Sequence, residues 1–225
     1  MEKGKLYLIP TPIGNLGDMT FKSLERLKDV DLLLAEDTRK TGILLKHYEV
    51  DAKMMSYHMH NEHKVVKSLV SKLIQGENIG LVTDAGTPGI SDPGFLLVRE
   101  AIKGDIIVEC LPGATAFVPA LVQSGLPCDK FVFEGFLPVK KGRQTRFKEL
   151  ELETRTIVLY ESPHRLLKTL REIGEYMGEG RKVAVCKEIS KLYETTWRGT
   201  VKEVLEGIDE NKIKGEFVLI IGGKE

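Results

Sequence analysis

The sequence has few cysteines, no long apolar run and no net charge, and each shortage narrows the function. Its thiols are Cys110, Cys128 and Cys186. They are odd in number, far apart and without zinc or redox spacing, so they read as reduced, mostly structural thiols of a cytoplasmic protein. No stretch approaches the ~20 apolar residues of a membrane span, and the opening MEKGKLYLIP is too short and too charged for a signal peptide. Lys plus Arg and Asp plus Glu both number 33, so no global field draws the chain to nucleic acid or membrane; an RNA contact must come from a local basic patch. Neither GxGxxG nor GxxxxGK[ST] occurs, which takes weight from dinucleotide and nucleoside-triphosphate binding. There is no internal repeat, low-complexity tract or flexible linker.

What remains is an ordinary folded composition. With 225 residues, 42% of them hydrophobic and 29% charged, the chain can bury a substantial core without staples. Strand-like runs at 5–9, 31–35, 53–57, 78–83 and 106–111 alternate with helix-like runs at 20–28, 41–48, 62–75 and 95–103. Thr20 is placed as an N-cap. This alternation predicts a mostly parallel sheet. A helix at 115–124 follows, then a second series: strands from 131, at 156–160, 182–188 and 216–221, with helices at 143–152, 163–177 and 201–207. A hairpin-like stretch over 187–199 predicts a mixed second sheet. The expected fold class is α/β, two α/β domains (1–112 and 113–225) with a ligand cleft between them.

The stretch LVTDAGTPGISDPG (81–94) carries the first functional signal. Ligands collect beyond the carboxyl ends of strands in open α/β sheets. Gly86 and Gly89 permit backbone conformations closed to other residues and a close approach to a ligand, while Pro88 and Pro93 stiffen the loop. Such a loop can bind an adenosine-like ligand at little entropic cost, and Asp84 can accept from an amine or hydroxyl. The plain alternative is a turn and helix start, with Ser91 or Asp92 as N-cap and Pro93 at N1.

Eight ordered segments extend this signal: LYLIPTPIGNLGD (6–18), AEDTRKTG (35–42), SYHMHNE (56–62), TDAGTPGISDPG (83–94), LPGATA (111–116), EGFLP (134–138), YESPHR (160–165) and KEISKLYETTWRG (187–199). Together they resemble the RsmI-type 16S rRNA (cytidine-2′-O)-methyltransferases of the tetrapyrrole methylase superfamily. The resemblance implies the tetrapyrrole methylase fold, S-adenosyl-L-methionine as methyl donor, 2′-O-methylation of a cytidine ribose in the decoding region of the small ribosomal subunit, and a homodimer. A small-molecule methyltransferase acting on a tetrapyrrole precursor shares the donor loop and is the alternative; the basic stretch and second-domain motifs favour RNA. A non-catalytic nucleotide- or RNA-binding module is the third reading. Longer family members continue past the last strand, and an RNA contact made there is expected to be missing from this sequence, which ends IIGGKE.

The resemblance also implies site residues. Donor positions are Ile9, Pro10, Asp84, Ala85, Gly86, Thr87, Pro88, Ile90, Ser91, Thr115, Ala116 and Tyr160; by spacing alone Thr115 is equally an N-cap. A sulfonium methyl is already activated, so no metal is required, only alignment and a nucleophilic 2′-oxygen helped by a base or cation. Glu36, Asp37 and Arg39, then Glu161, His164 and Arg165, then Lys187, Glu188, Lys191 and Glu194 are the charged candidates, among which the base is not singled out. Arg39 and Arg165 suit phosphate oxygens, or salt bridges to Glu36 and Glu161; for His164 an exposed first helical turn is the favoured reading over a catalytic one. His58, His60 and His63 invite a metal reading, with His58 and His60 on one strand face, but beyond Glu62 nothing completes a ligand set, and a loop near the substrate or a solvated turn before the helix is the favoured reading. Lys140, Lys141, Arg143, Arg146 and Lys148 form the densest basic stretch, either a solvated face or a phosphate contact with marked salt dependence. Trp197 and Tyr193 could stack a base, but core packing is the favoured reading.

Overall fold

A computed structural model describes residues 2–224 and divides the chain into two compact units, the first ending at Thr115 and the second starting at Ala116. The N-terminal unit runs β1 (Lys5–Leu8), α1 (Phe21–Asp29), β2 (Leu32–Ala35), α2 (Thr38–His47), β3 (Met54–Ser56), α3 (Glu62–Ile74), β4 (Ile79–Val82), α4 (Phe95–Lys103) and β5 (Ile107–Cys110). Its five strands lie in the order β3-β2-β4-β1-β5, and every pairing is parallel. The interior strands are buried on both faces, as a parallel sheet covered by helices requires. Alternation along them sorts the core. Leu6, Leu8, Leu32, Leu34, Ile79 and Leu81 join Leu69 and Leu73 of α3 and Leu97 and Ala101 of α4 on one face. Tyr7, Ile9, Leu33, Ala35 and Val82 meet Leu27 of α1 and Leu45 of α2 on the other. Thr20 caps α1 as expected, accepting from the Ser23 amide at 3.1 Å.

The C-terminal unit runs α5 (Phe117–Ser124), β6 (Phe131–Phe136), α6 (Arg143–Glu151), β7 (Thr156–Glu161), α7 (Leu166–Met177), β8 (Lys182–Lys187), β9 (Thr195–Thr200), α8 (Val201–Gly207) and β10 (Phe217–Ile221). Its sheet has the order β6-β7-β10-β8-β9. β6 and β7 are parallel, β10 is antiparallel to β7 and β8, and the β8–β9 hairpin makes the sheet mixed as expected. Ile157, Leu159, Val183, Val185, Leu219 and Ile221 pack one face against Phe147, Leu170, Ile173 and Val204 of α6, α7 and α8.

Several local expectations differ. α2 starts at Thr38, not 41, because the Asp37 carboxylate accepts from the Arg39 amide at 2.9 Å. α4 is capped by Gly94, not by Ser91 or Asp92, and α5 by Ala116, not Thr115; neither has a side-chain cap bond. β3 ends at Ser56, so His58 and His60 lie in the turn before α3 and share no strand face. Cys186 is buried, but Cys110 and Cys128 are exposed rather than structural.

Candidate functional site

Because β2, β4, β1 and β5 are neighbours and parallel, the segments after them leave the same edge of the N-terminal sheet. Three of these segments are stitched together. Thr11 and Gly86 exchange backbone hydrogen bonds of 3.0 and 2.9 Å, and the Thr11 hydroxyl donates to the Thr83 carbonyl at 3.1 Å. The Thr87 hydroxyl donates to the Ala114 carbonyl at 3.0 Å. A Cβ on Gly113 would lie 2.6 Å from Pro10 Cβ, so only glycine lets the β5 segment cross the β1 segment there. Gly86 and Gly89 have φ of +83° and +85°, the left-handed region that glycine enters freely. Ser91 has φ +62°, which costs a non-glycine residue about 1–2 kcal/mol.

Ile9 and Pro10 are buried, as are Gly86 and Pro88, while Ala85, Thr87, Ile90 and Thr115 are partly open and Asp84 and Ser91 exposed. Ile9 belongs to the core cluster, so it can offer a ligand only backbone. Nearby, Glu36 accepts from the Asp84 amide at 3.3 Å, and Lys40 pairs with the Asp84 carboxylate at 2.6 Å. Lys40 is held more firmly protonated by that carboxylate. A cavity of about 190 Å³ opens here, lined by Thr11, Gly14, Lys40, Thr41, Thr83 and Asp84. Asp92 completes the acidic group: burial first, then the Glu36 charge, pushes its carboxyl up to about 6. Sequence reasoning missed Lys40 and treated Asp92 only as a cap. The SDPG spacing marks a turn, and nothing in it signals that the carboxylate is shielded from water.

Arg39 is exposed and bound to Asp37, not to Glu36, through two bonds of 3.0 and 2.7 Å. That guanidinium holds the Asp37 carboxyl well below the usual range. Asp37 is therefore a cap and ion-pair partner.

In the C-terminal unit, the carboxyl ends of β7 and β8 carry the remaining charged candidates. Glu161 is buried, with both oxygens engaged. Oε1 accepts from the Ser162 amide and pairs with Arg165, each at 2.8 Å, and Oε2 accepts from the Thr169 hydroxyl at 2.6 Å. The salt-bridge reading of Arg165 is the observed one. His164 is exposed in the turn that precedes α7. Glu188, at φ +52°, accepts from Lys191 and from the Glu216 amide, each at 2.9 Å. Burial raises its carboxyl, but these donors outweigh that and the net shift is downward. Glu194 accepts from the Ser190 amide at 2.7 Å, and Lys187 donates to the Lys212 carbonyl at 2.9 Å. Ala116 caps α5. Tyr160 stacks edge-on against Phe133 at 5.2 Å and lies 5.6 Å from Phe136.

The basic stretch divides. Arg143 is buried: it pairs with Glu172 at 2.6 Å, donates to Thr169 at 2.7 Å and lies over the Phe147 ring. Arg146 is tied to Glu134 and Glu149. Only Lys140, Lys141 and Lys148 remain as exposed cations. Trp197 packs against the core and Tyr193 is exposed. Among the described residues no group of three or more His, Cys, Asp or Glu is placed to hold a metal, and no helix is long and apolar enough to cross a membrane.

Residues 5–205 match the family described as tetrapyrrole (corrin/porphyrin) methylases. The chain is 51% identical over 221 residues to ribosomal RNA small subunit methyltransferase I of Synechocystis sp., covering 98% of this chain and 79% of that one. It is 48% identical over 223 residues to the protein of the same name from Halalkalibacterium halodurans, covering 99% and 77%. Among solved structures, a diphthine synthase superposes with TM-score 0.74 at 12% identity, covering 97% of this chain and 90% of that one. The Thermus thermophilus uroporphyrin-III C-methyltransferase complexed with S-adenosylhomocysteine superposes with TM-score 0.65 at 18% identity, covering 97% of each. These two show a shared fold.

Proposed function

The chain belongs to the tetrapyrrole (corrin/porphyrin) methylases, and from that premise we propose that it methylates small-subunit ribosomal RNA with S-adenosylmethionine as donor. The acceptor in this proposal is the 2′-oxygen of a cytidine ribose in the decoding region of 16S RNA. One observation carries the reading: proteins about half identical to this chain over nearly its whole length bear the name ribosomal RNA small subunit methyltransferase I. The donor is supported by the S-adenosylhomocysteine complex of a fold neighbour.

In the proposed reaction the ribose oxygen attacks the sulfonium methyl. The C–O bond forms as the S–C bond breaks, S-adenosylhomocysteine leaves and the hydroxyl proton passes to a base. We place the donor against the stitched backbone from Asp84 to Ser91, with Ile9 and Pro10 beside it. The hydrogen bonds that hold these segments support the choice, since a wall fixed before binding costs little entropy to use. For the base we favour Glu36, at the carboxyl end of β2 beside Asp84. Glu161, with both oxygens engaged, and Glu188, whose Oε1 is held by Lys191 and the Glu216 amide, fit positioning roles better. Arg39, Arg165 and His164 remain in the proposal as phosphate contacts or proton carriers. A cytoplasmic homodimer is part of the same proposal, and sedimentation velocity checks it. The reaction is tested by incubating the protein with methyl-labelled donor and purified small subunits lacking the modification. Label in the RNA supports the reading; no label in the RNA, with label in a tetrapyrrole precursor, overturns it.

A further inference from the structure

The C-terminal unit has a second concavity at the opposite edge of its sheet from Glu161, His164 and Arg165. β7 and β8 are both antiparallel to β10, and β6 is parallel to β7, so the amino ends of β6, β7 and β8 meet there with the carboxyl end of β10. The cleft has a volume of about 720 Å³. At about 3.3 Å per residue, the length of β7 puts Glu161 roughly 17 Å away.

Its chemistry is one-sided. Lys130, Arg155, Arg181, Lys182 and Lys224 line it, and among the described residues Asp129 is the one acidic residue in the lining. Arg155 is clamped by Glu153 through bonds of 2.8 and 2.7 Å, and Arg181 donates to the Gly222 carbonyl at 3.1 Å, so both guanidiniums are fixed in place. Lys130, Lys182 and Lys224 form no ion pair among the described residues. The nearby Glu203 feels the Lys182 charge but is engaged by Thr200. Gly178 and Gly180 leave the rim open, with no atom within 4 Å of where a Cβ would stand. Among the described residues no lining side chain is aromatic. A surface that reads bases stacks them on rings, whereas one that only positions a strand uses cations on phosphates.

We propose that this cleft binds the phosphodiester backbone of the RNA substrate and anchors it away from the strand ends that carry the candidate transfer groups. The inference rests on the ribosomal RNA reading above. With a net charge of zero, the chain offers RNA no general attraction, so a local cationic cleft is where counterion release would be concentrated.

The test uses the full chain with Lys130→Ala, Lys182→Ala and Lys224→Ala combined. A control variant carries Lys28→Ala, Lys64→Ala and Lys67→Ala, which removes the same charge from exposed positions of the other unit. Fluorescence anisotropy with a labelled small-subunit rRNA stem-loop gives affinity against salt for each, and thermal melts check folding. The cleft variant should bind on the order of ten- to a hundredfold more weakly, with a slope of log K on log salt smaller by about 2 to 3, and the control should follow the wild type. An unchanged slope in the cleft variant, an equal loss in the control, or no RNA binding by the wild type overturns the proposal. Methyl transfer is scored separately. A wild type that methylates RNA while the cleft variant keeps its slope sinks the anchor and spares the enzyme reading; a slope loss without any methyl transfer does the reverse.

Discussion

The Thr169 hydroxyl donates a 2.6 Å hydrogen bond to Glu161 while accepting one of 2.7 Å from Arg143. A single buried oxygen on α7 thus joins the end of β7 to the start of α6. The chain of contacts runs from Arg165 through Glu161, Thr169 and Arg143 to Glu172. It fixes the ESPHR turn, and it makes Glu161 part of the scaffold.

Replacing Thr169 with Val keeps the shape and removes the link. Glu161 and Arg143 each lose a buried partner, so unfolding in urea should show a loss of about 1–3 kcal/mol. Glu161→Gln, which leaves Arg165 without its carboxylate, should cost roughly 3 kcal/mol. Stability equal to wild type in both variants would remove the scaffold role.

Two glycine replacements in and beside the proposed donor wall separate crowding from conformation. Gly113→Ala forces a Cβ to 2.6 Å from Pro10 and must displace the β1 segment. Gly89→Ala meets no atom within 4 Å and faces only its φ of +85°. Calorimetry with S-adenosylmethionine should show affinity lost at least about tenfold for Gly113→Ala, since about 1.4 kcal/mol of overpacking strain suffices. Gly89→Ala should cost stability of about 1–2 kcal/mol. Equal donor affinity in Gly113→Ala and wild type would count against the wall.

Asp92 gives stability a pH dependence of defined sign. Its carboxyl titrates near 6 in the folded chain against an ordinary 3.8. Between those values the folded state keeps a proton that the unfolded state has released, so stability falls as pH rises through this window and stays lower above it. Asp92→Asn should abolish the fall. With allowance for the partial exposure of the side chain, the difference is about 1 kcal/mol at neutral pH. Parallel stability profiles of the two proteins from pH 4 to pH 7 would contradict the assignment.

The basic stretch before and within α6 should split by function. Lys140→Ala, Lys141→Ala and Lys148→Ala together should leave the melting temperature unchanged and lower RNA affinity in a salt-dependent way. Arg143→Ala should lower stability by roughly 3 kcal/mol through its buried partners Glu172 and Thr169. A triple lysine variant that melts early while Arg143→Ala stays stable would reverse the division.

Which of these features the sequence discloses follows from their physics. The unbroken apolar run LYLI and the apolar stripe of α3 report burial directly, so the strand–helix order and the parallel N-terminal sheet are legible. Arg143 was readable in principle: Arg143, Phe147 and Leu150 follow a 3.6-residue period and are all buried in α6. A cation at the first of those positions hid it among its charged neighbours. β9 is an edge strand rich in Thr with no fully buried residue, so the sequence shows the hairpin but not the strand's bounds. Lys40 reaches Asp84 across 44 residues of sequence, and the raised carboxyl of Asp92 comes from burial and from Glu36 on another segment. Such long-range juxtapositions leave no local pattern.

Nucleoside mass spectrometry of 16S RNA, taken from small subunits incubated with the protein and S-adenosylmethionine, tests the assignment most directly. A rise in 2′-O-methylcytidine, absent when Glu36 is replaced by Gln in a protein that still binds the donor, is the predicted result. RNA that carries no new methyl group, or carries it on a base, would contradict it.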